Sequence, residues 1–217
     1  MEKRVVICTA MHGRQDTVRY CYEKMKHLPV EFMYGYTNIS DGEFLQDMLD
    51  SGVTYRVANQ PLFNKFQVGI DLLKQLTFDV AIMLGSDDYI DEKFLDYVCK
   101  QAEKYDFIGF KDIYFEQGEK TYYWSGYTNH REGEPSGAGK TYTREGLEQL
   151  NWNLYNNSIN RGLDGSSWQR VKRFKLLSKI ASVKREGLKL VDVKDKGSLT
   201  PLVKFRPNEL ELVEVLG

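Results

Sequence analysis

Nothing in the 217 residues approaches the apolar length that a bilayer crossing requires. The start, Met1-Glu2-Lys3-Arg4, runs straight into a short strand-like segment and lacks the longer apolar region and small-residue cleavage site of a signal peptide. The expected location is therefore the cytoplasm. Only three cysteines are present, Cys8, Cys21 and Cys99, and they form neither a CxxC pair nor a zinc spacing, so they read as buried free thiols. His12, His27 and His130 show no metal-ligand spacing. The sequence has no internal repeat, no low-complexity segment and no clear interdomain linker. A net charge of -1 points by itself to no polyanionic partner. Its distribution is uneven, however: Arg170 to Lys189 holds eight Lys or Arg against one Glu, about +7, which leaves about -8 elsewhere.

What is present is an ordinary globular composition, 41% hydrophobic and 28% charged, in one chain long enough for a sizeable core. Val5–Ala10, Glu31–Tyr36, Thr54–Ala58 and Val80–Leu84 read as strands, short and rich in apolar and β-branched residues. Between and after them, 15–26, 43–49, 65–76 and 94–102 read as helices, the last entered through Asp91. This alternation predicts an α/β fold with a mostly parallel sheet flanked by helices. After residue 105 the pattern changes. Phe107–Phe110 and Thr121–Trp124 read as strands, with Gln117-Gly118-Glu119 as a turn, and a polar Gly-rich stretch runs from Gly126 to Gly139. Helices are predicted over 144–152 and over 167–183, the latter capped by Ser166 or Ser167, and a last strand over 188–193. The reading is one domain over 1–217, with an α/β half to about residue 105 and a smaller β/helical half beyond it that ends in a basic helix.

Ligands of open α/β sheets bind beyond the carboxyl ends of the strands. The most apolar strand ends in Gly85-Ser86-Asp87-Asp88, two carboxylates at the sheet rim. A diphosphate needs its charge neutralised, above all as a leaving group, and a hard divalent ion on one or two carboxylates does this. The competing reading is a turn in which Asp87 and Asp88 cap the following helix. No third ligand is identified by the sequence.

Taken in order, the first strand with its loop ending in Arg14, Ser40-Asp41-Gly42, the run Asn59 to Lys65 leading into a helix, and the apolar strand with an acidic S-D-D end resemble the nucleotide-binding half of GT-A-fold glycosyltransferases, especially the family-2-like group. The resemblance covers roughly residues 4 to 170 and rests on the order of short motifs. It implies that Thr9, Met11, Arg14 and Asp41 hold the nucleoside, that Lys65 lies near the nucleotide, and that Ser86 and Asp87 meet the donor, a UDP-sugar. Asp87 matches the metal-binding aspartate of the family's D-x-D motif; the first aspartate is replaced by Gly85, which leaves Asp87 and Asp88 interchangeable as ligands of Mn²⁺ or Mg²⁺.

In this family a Gly-rich strand precedes a helix, and a short acidic motif supplies the base of inverting members. Ser136 to Arg144 resembles the first, with Gly139 and Lys140 on the acceptor side; Arg161-Gly162-Leu163-Asp164-Gly165 resembles the second. An attacking hydroxyl must lose its proton, and Asp164 is the candidate base. An ordinary Asp-Gly turn, or donor or acceptor binding in a retaining enzyme, is the alternative. Tyr122, Tyr123, Trp124 and Tyr127 cluster in this half, and Trp124 is a candidate sugar-stacking residue, with a core role as the alternative.

Two rival functions remain at this point. Glu134 to Thr141 nearly spells a Walker A loop, which would make the chain a nucleotide-dependent phosphotransferase, although Glu134 replaces the first glycine. The missing first aspartate also leaves open a non-catalytic nucleotide-sugar-binding protein. The basic stretch Arg170–Lys189 is a solvated face or a contact for a polyanionic acceptor, either lipid-linked or hydroxylated phage DNA.

Overall fold

The computed structural model describes residues 3–58, 63–156, 162–198 and 200–214. A seven-stranded sheet forms the centre, built on β1 (Val5–Ala10), β2 (Glu31–Tyr36), β3 (Val53–Arg56) and β4 (Val80–Met83). These four strands run parallel in the order β3-β2-β1-β4. Helices α1 (Gln15–Met25), α2 (Ile39–Met48) and α3 (Phe63–Leu73) make the connections, and α4 (Glu92–Gln101) follows β4 and the short β5 (Asp88–Ile90). The central strands are apolar on both faces because helices cover both: Val80, Ala81 and Ile82 are fully buried, and so is Ile7. Asp91 caps α4 as the sequence suggests, its carboxylate accepting the Phe94 N–H at 2.9 Å.

The second half of the chain completes the same sheet. β6 (Phe107–Phe110), β9 (Lys140–Thr143) and β10 (Ser178–Ala181) extend it in the order β4-β9-β6-β10, with β9 antiparallel to both neighbours. A five-stranded sheet packs beside it, ordered β12-β8-β7-β11-β5, from β5, β7 (Ile113–Gln117), β8 (Lys120–Trp124), β11 (Leu190–Val193) and β12 (Leu210–Val213). The turn at Gln117-Gly118-Glu119 joins β7 to β8, with Gly118 at φ +60. The α/β fold with a mostly parallel sheet is thus as expected; β5, β7 and β12 are strands that the sequence pattern does not announce.

Two helical expectations change. After α5 (Arg144–Gln149), helix α6 runs over Leu163–Arg173, four residues earlier than expected, with Gly162 at φ 70 as its N-cap in place of Ser166 or Ser167. The chain then reverses at Lys175, which has φ 54, and 178–181 becomes the edge strand β10 beside β6. The stretch 167–183 is therefore not one helix: strand pairing with β6 overrides the helical spacing of Val171, Phe174, Leu177 and Ile180. A single turn α7 (Val183–Glu186) follows, capped by Ser182.

Candidate active site

The acidic rim forms where the two sheets meet. β4 ends at Met83, and the turn at Ser86 and Asp87 leads directly into β5. β5 pairs antiparallel with β11, and the register sets Asp88 opposite Asp192. The Val193 N–H donates to the Asp87 carbonyl at 2.7 Å and locks the junction. Asp87, Asp88 and Asp192 can then offer oxygens that all lie within 4.8 Å of one another. Asp192 is the third acidic group that the sequence did not identify. No local signal marks it: Asp192 lies within β11, between Val191 and Val193, and meets Asp88 only through strand pairing.

The carboxyl groups of this cluster outnumber the cations beside them. Burial, reinforced by Asp192 and Asp87, holds the Asp88 carboxyl well above the usual carboxylate range, although the Gly85 N–H donates to it at 2.6 Å. Burial and Asp87 raise Asp192 to about 6, against the pull of Lys194. Arg14 donates to Asp87 at 2.7 Å and pairs with Asp195 at 2.9 Å, while Lys194 pairs with Asp192. Four carboxyl groups face two cations, and burial answers the crowding by holding Asp88 and Asp192 towards their protonated forms. Asp192 Oδ1 is buried with no hydrogen-bond partner. Like charges about 4 Å apart at an effective dielectric of about 20 repel by about 4 kcal/mol. An all-oxygen cluster of this charge with an orphaned buried oxygen fits a hard divalent ion such as Mg²⁺ or Mn²⁺.

A cleft of about 400 Å³ runs from this cluster to Asp164. Asp164 stands in the first turn of α6, where a negative charge is favoured by the helix dipole. The Tyr127 hydroxyl donates to its Oδ2 at 2.6 Å, and burial with Asp164 keeps that phenol protonated. Its other oxygen, Oδ1, packs against Gly137, where an added Cβ would come to 3.0 Å. Beneath it, Lys140 donates to the Asp164 carbonyl and to Ser167 Oγ, both at 2.7 Å, and burial lowers the lysine to about 8. Trp124 lines the same cleft, edge-on to Tyr127 and covered by Phe205.

Of the other residues expected at the donor and acceptor sites, none of Thr9, Met11, Arg14, Asp41, Lys65, Ser86 and Gly139 lines this cleft. Thr9 is buried at the end of β1 with its hydroxyl unpartnered. Met11 packs its side chain into the core, which leaves only its main chain at the rim. Asp41 is 1% exposed and accepts from the Gly13 N–H at 3.0 Å and the Asn38 amide at 2.8 Å, so it ties the first loop to α2. Lys65 is buried and faces Asp41 across the rim, its pKa lowered by burial. Ser86 is half-buried in the turn and does not line the cleft. Gly139 does not line it either: at φ +71 it lets the chain pass Leu190, and its N–H bonds Met83 O. Residues 59–62 and Arg161 lie outside the described residues.

The near-Walker run does not form a phosphate loop. Lys140 is the first residue of β9, an antiparallel strand rather than the start of a helix, and its ammonium is bound to the Asp164 carbonyl and Ser167 Oγ. Among the described residues, none of 170–189 lines the cleft. Arg170 donates to the Asn153 and Leu150 carbonyls, and Lys184 pairs with Glu211.

No family model and no curated protein sequence matches the chain. Among solved structures it is similar to a nucleotide-diphospho-sugar transferase of Desulfovibrio desulfuricans, at 9% identity and TM-score 0.55, over 96% of this chain and 89% of that one. It is similar to Staphylococcus aureus TarS in complex with UDP-GlcNAc, at 13% identity and TM-score 0.59, over 90% of this chain and 60% of that one. It is also similar to a CMP:2-keto-3-deoxy-manno-octonic acid synthetase complexed with CTP, at 10% identity and TM-score 0.54, over 94% of this chain and 95% of that one. No helix among the described residues is long and apolar enough to cross a membrane. Strand order, the acidic strand end and these likenesses together give the chain a GT-A-like fold of the kind that nucleotide-sugar transferases have.

Proposed function

We propose that the protein is a metal-dependent glycosyltransferase that moves a sugar from a nucleotide-sugar, a UDP-sugar in the first instance, to a hydroxyl acceptor. The observation that carries this reading is the single cleft that joins the acidic cluster of Asp87, Asp88 and Asp192 to Asp164. Asp87, Asp88 and Asp192 would hold Mn²⁺ or Mg²⁺, and the bound ion supplies charge neutralisation for the departing diphosphate. On this reading the nucleoside would lie on the side of Thr9, Asp41 and Lys65, which are buried and outside the lining of the cleft. Asp164 takes the proton of the acceptor hydroxyl as its oxygen attacks the anomeric carbon and the bond to the diphosphate breaks. Tyr127 fixes the carboxylate through Oδ2, and Lys140 fixes the helix turn that carries it. Trp124, buried in the core at 8% exposure, and Tyr127, covered on one face by Arg131, leave only a narrow aromatic lining for a saccharide on the acceptor side.

A polyanionic acceptor has in its favour only exposed cations such as Lys172, Arg173 and Lys175, away from the cleft. Steeply salt-dependent binding to duplex DNA would support it.

The test is a panel of nucleotide-sugars screened by thermal shift with and without Mn²⁺, followed by assay of nucleotide release. A ligand at about 100 times its Kd stabilises by about 2.7 kcal/mol. One donor should raise the melting temperature only with the metal present, and Asp87→Ala should abolish that response. A shift that ignores both metal and mutation contradicts the reading. Binding in every metal without turnover would make the chain a binding protein on this scaffold.

A further inference from the structure

Arg14 is the most heavily engaged side chain at the rim. Its Nη1 donates to Asp87 Oδ2 at 2.7 Å and its Nε to Asp195 Oδ2 at 3.0 Å. Its Nη2 donates to the Val193 carbonyl at 3.3 Å and to Ser198 Oγ at 3.2 Å. The backbone is bent to aim it. Gly13 has φ +64 and Arg14 itself φ 58 and ψ 39, a left-handed conformation that a non-glycine residue disfavours. Such an outlier points to a role that the surrounding structure holds in place. The segment after β11 wraps this side chain: an added Cβ on Gly197 would meet Arg14 Cδ at 3.2 Å. That segment is folded on Asp195, which accepts from the Gly197 N–H at 2.7 Å and from the Thr17 hydroxyl.

The guanidinium thus neutralises the very carboxylate that the metal reading requires. A divalent ion and a guanidinium cannot both draw fully on one Asp87 oxygen, because each is a cation seeking the same lone pairs. We propose that Arg14 is the built-in competitor of the metal: it yields Asp87 as the ion enters, and through Asp195, Val193 and Ser198 it couples that entry to the segment 193–198. This inference rests on the acidic cluster being a metal site and adds its regulation. Arg suits the role because a planar fork can release one carboxylate while holding another, which a lysine cannot do. Entry of the ion would then break the tether that runs from 193–198 through Arg14 to Asp87, at the mouth of the cleft where the donor diphosphate must be seated.

The probe is Mn²⁺ alone, with free ion read by electron paramagnetic resonance, against the wild-type chain, Arg14→Ala and Arg14→Gln. The two variants guard against one failing to fold. Both are expected to bind Mn²⁺ about tenfold more tightly than wild type, and to do so at about 0.5 M as well as about 0.05 M salt, because a contact pair is screened far less than a distant charge. Amide exchange at Asp195 and Gly197 is expected to rise in the wild type when Mn²⁺ is added, and to be fast with or without it in the variants. If the wild type binds Mn²⁺ and the variants bind no tighter, Arg14 is not the competitor and the metal site stands. A gain that vanishes at high salt reduces Arg14 to a long-range charge and overturns the coupling, as does exchange in the wild type that ignores Mn²⁺. If neither wild type nor variants bind Mn²⁺, the metal reading and this inference fall together.

Discussion

The two sheets of this molecule differ in what they are made for. The seven-stranded sheet buries contiguous apolar strands, and Ile7, Val80, Ala81 and Ile82 meet no water. The five-stranded sheet joins β5 and β11, pieces from opposite halves of the chain, and at that seam it places Asp88 against Asp192 and seats Lys194 over Phe115. The first sheet is a consequence of the hydrophobic effect and of helices on both faces. The second concentrates charge that apolar burial disfavours, the arrangement expected where a ligand supplies the missing compensation. Stability and chemistry are therefore separable in this protein, and mutations should separate them.

The largest expected effect is on stability alone. Ile82→Ala in β4 removes a fully buried side chain and should lower unfolding free energy by about 2–5 kcal/mol in urea titrations, with Mn²⁺ affinity unchanged. Loss of metal binding in a folded Ile82→Ala protein would break the separation.

Next comes the lysine beneath Asp164. Burial lowers Lys140 from 10.5 to about 8 in the folded chain, so above pH 8 the unfolded state binds more protons than the native one. The penalty of keeping it charged is present at neutral pH and is relieved as pH rises from about 8 towards 10.5. Each tenfold change in proton affinity is worth about 1.4 kcal/mol, so the wild type should gain on the order of 1–3 kcal/mol of stability over that range relative to Lys140→Met. Parallel pH profiles of the two proteins in denaturant titrations would contradict the burial argument.

Asp88→Asn should reverse the pattern of Ile82→Ala. The amide keeps an acceptor for the Gly85 N–H and removes a charge that burial and Asp192 oppose. Melting temperature should hold or rise, while Mn²⁺ affinity falls by about tenfold or more, about 1.4 kcal/mol. A destabilised Asp88→Asn protein with normal metal binding would make this carboxylate a structural cap.

The smallest effect is at the other end of the cleft. Gly137→Ala brings a methyl to about 3.0 Å from Asp164 Oδ1, and the carboxylate must swing a few tenths of an ångström. Turnover of the donor found by thermal shift should fall severalfold, about 1 kcal/mol in barrier, with donor affinity unchanged. Equal rates would place Asp164 outside the reacting geometry.

The same contrast explains what the sequence makes legible. The parallel core is legible because its strands are continuous apolar runs and its helices carry one apolar face, both local signals. Asp87, Asp88 and Asp164 stand out in the sequence as acids close to glycines, and the first two follow an apolar strand. Asp192 does not, because its role exists only through the pairing of β5 with β11. The spacing of the basic stretch misleads because β10 is made by its neighbour β6, against its own periodicity. Arg14 reads as a nucleoside contact, whereas its side chain is drawn to Asp87 and Asp195 by a backbone turn that no residue pattern announces.

The central claim is that a divalent ion on Asp87, Asp88 and Asp192 is what retains a nucleoside diphosphate. Calorimetric titration of UDP into the wild type and into Asp192→Asn, each with Mn²⁺ and again with excess EDTA, addresses it most directly. Binding by the wild type in Mn²⁺ only, with none by Asp192→Asn in either buffer, is the predicted result. Equal UDP affinity in EDTA, or in the variant, would contradict it.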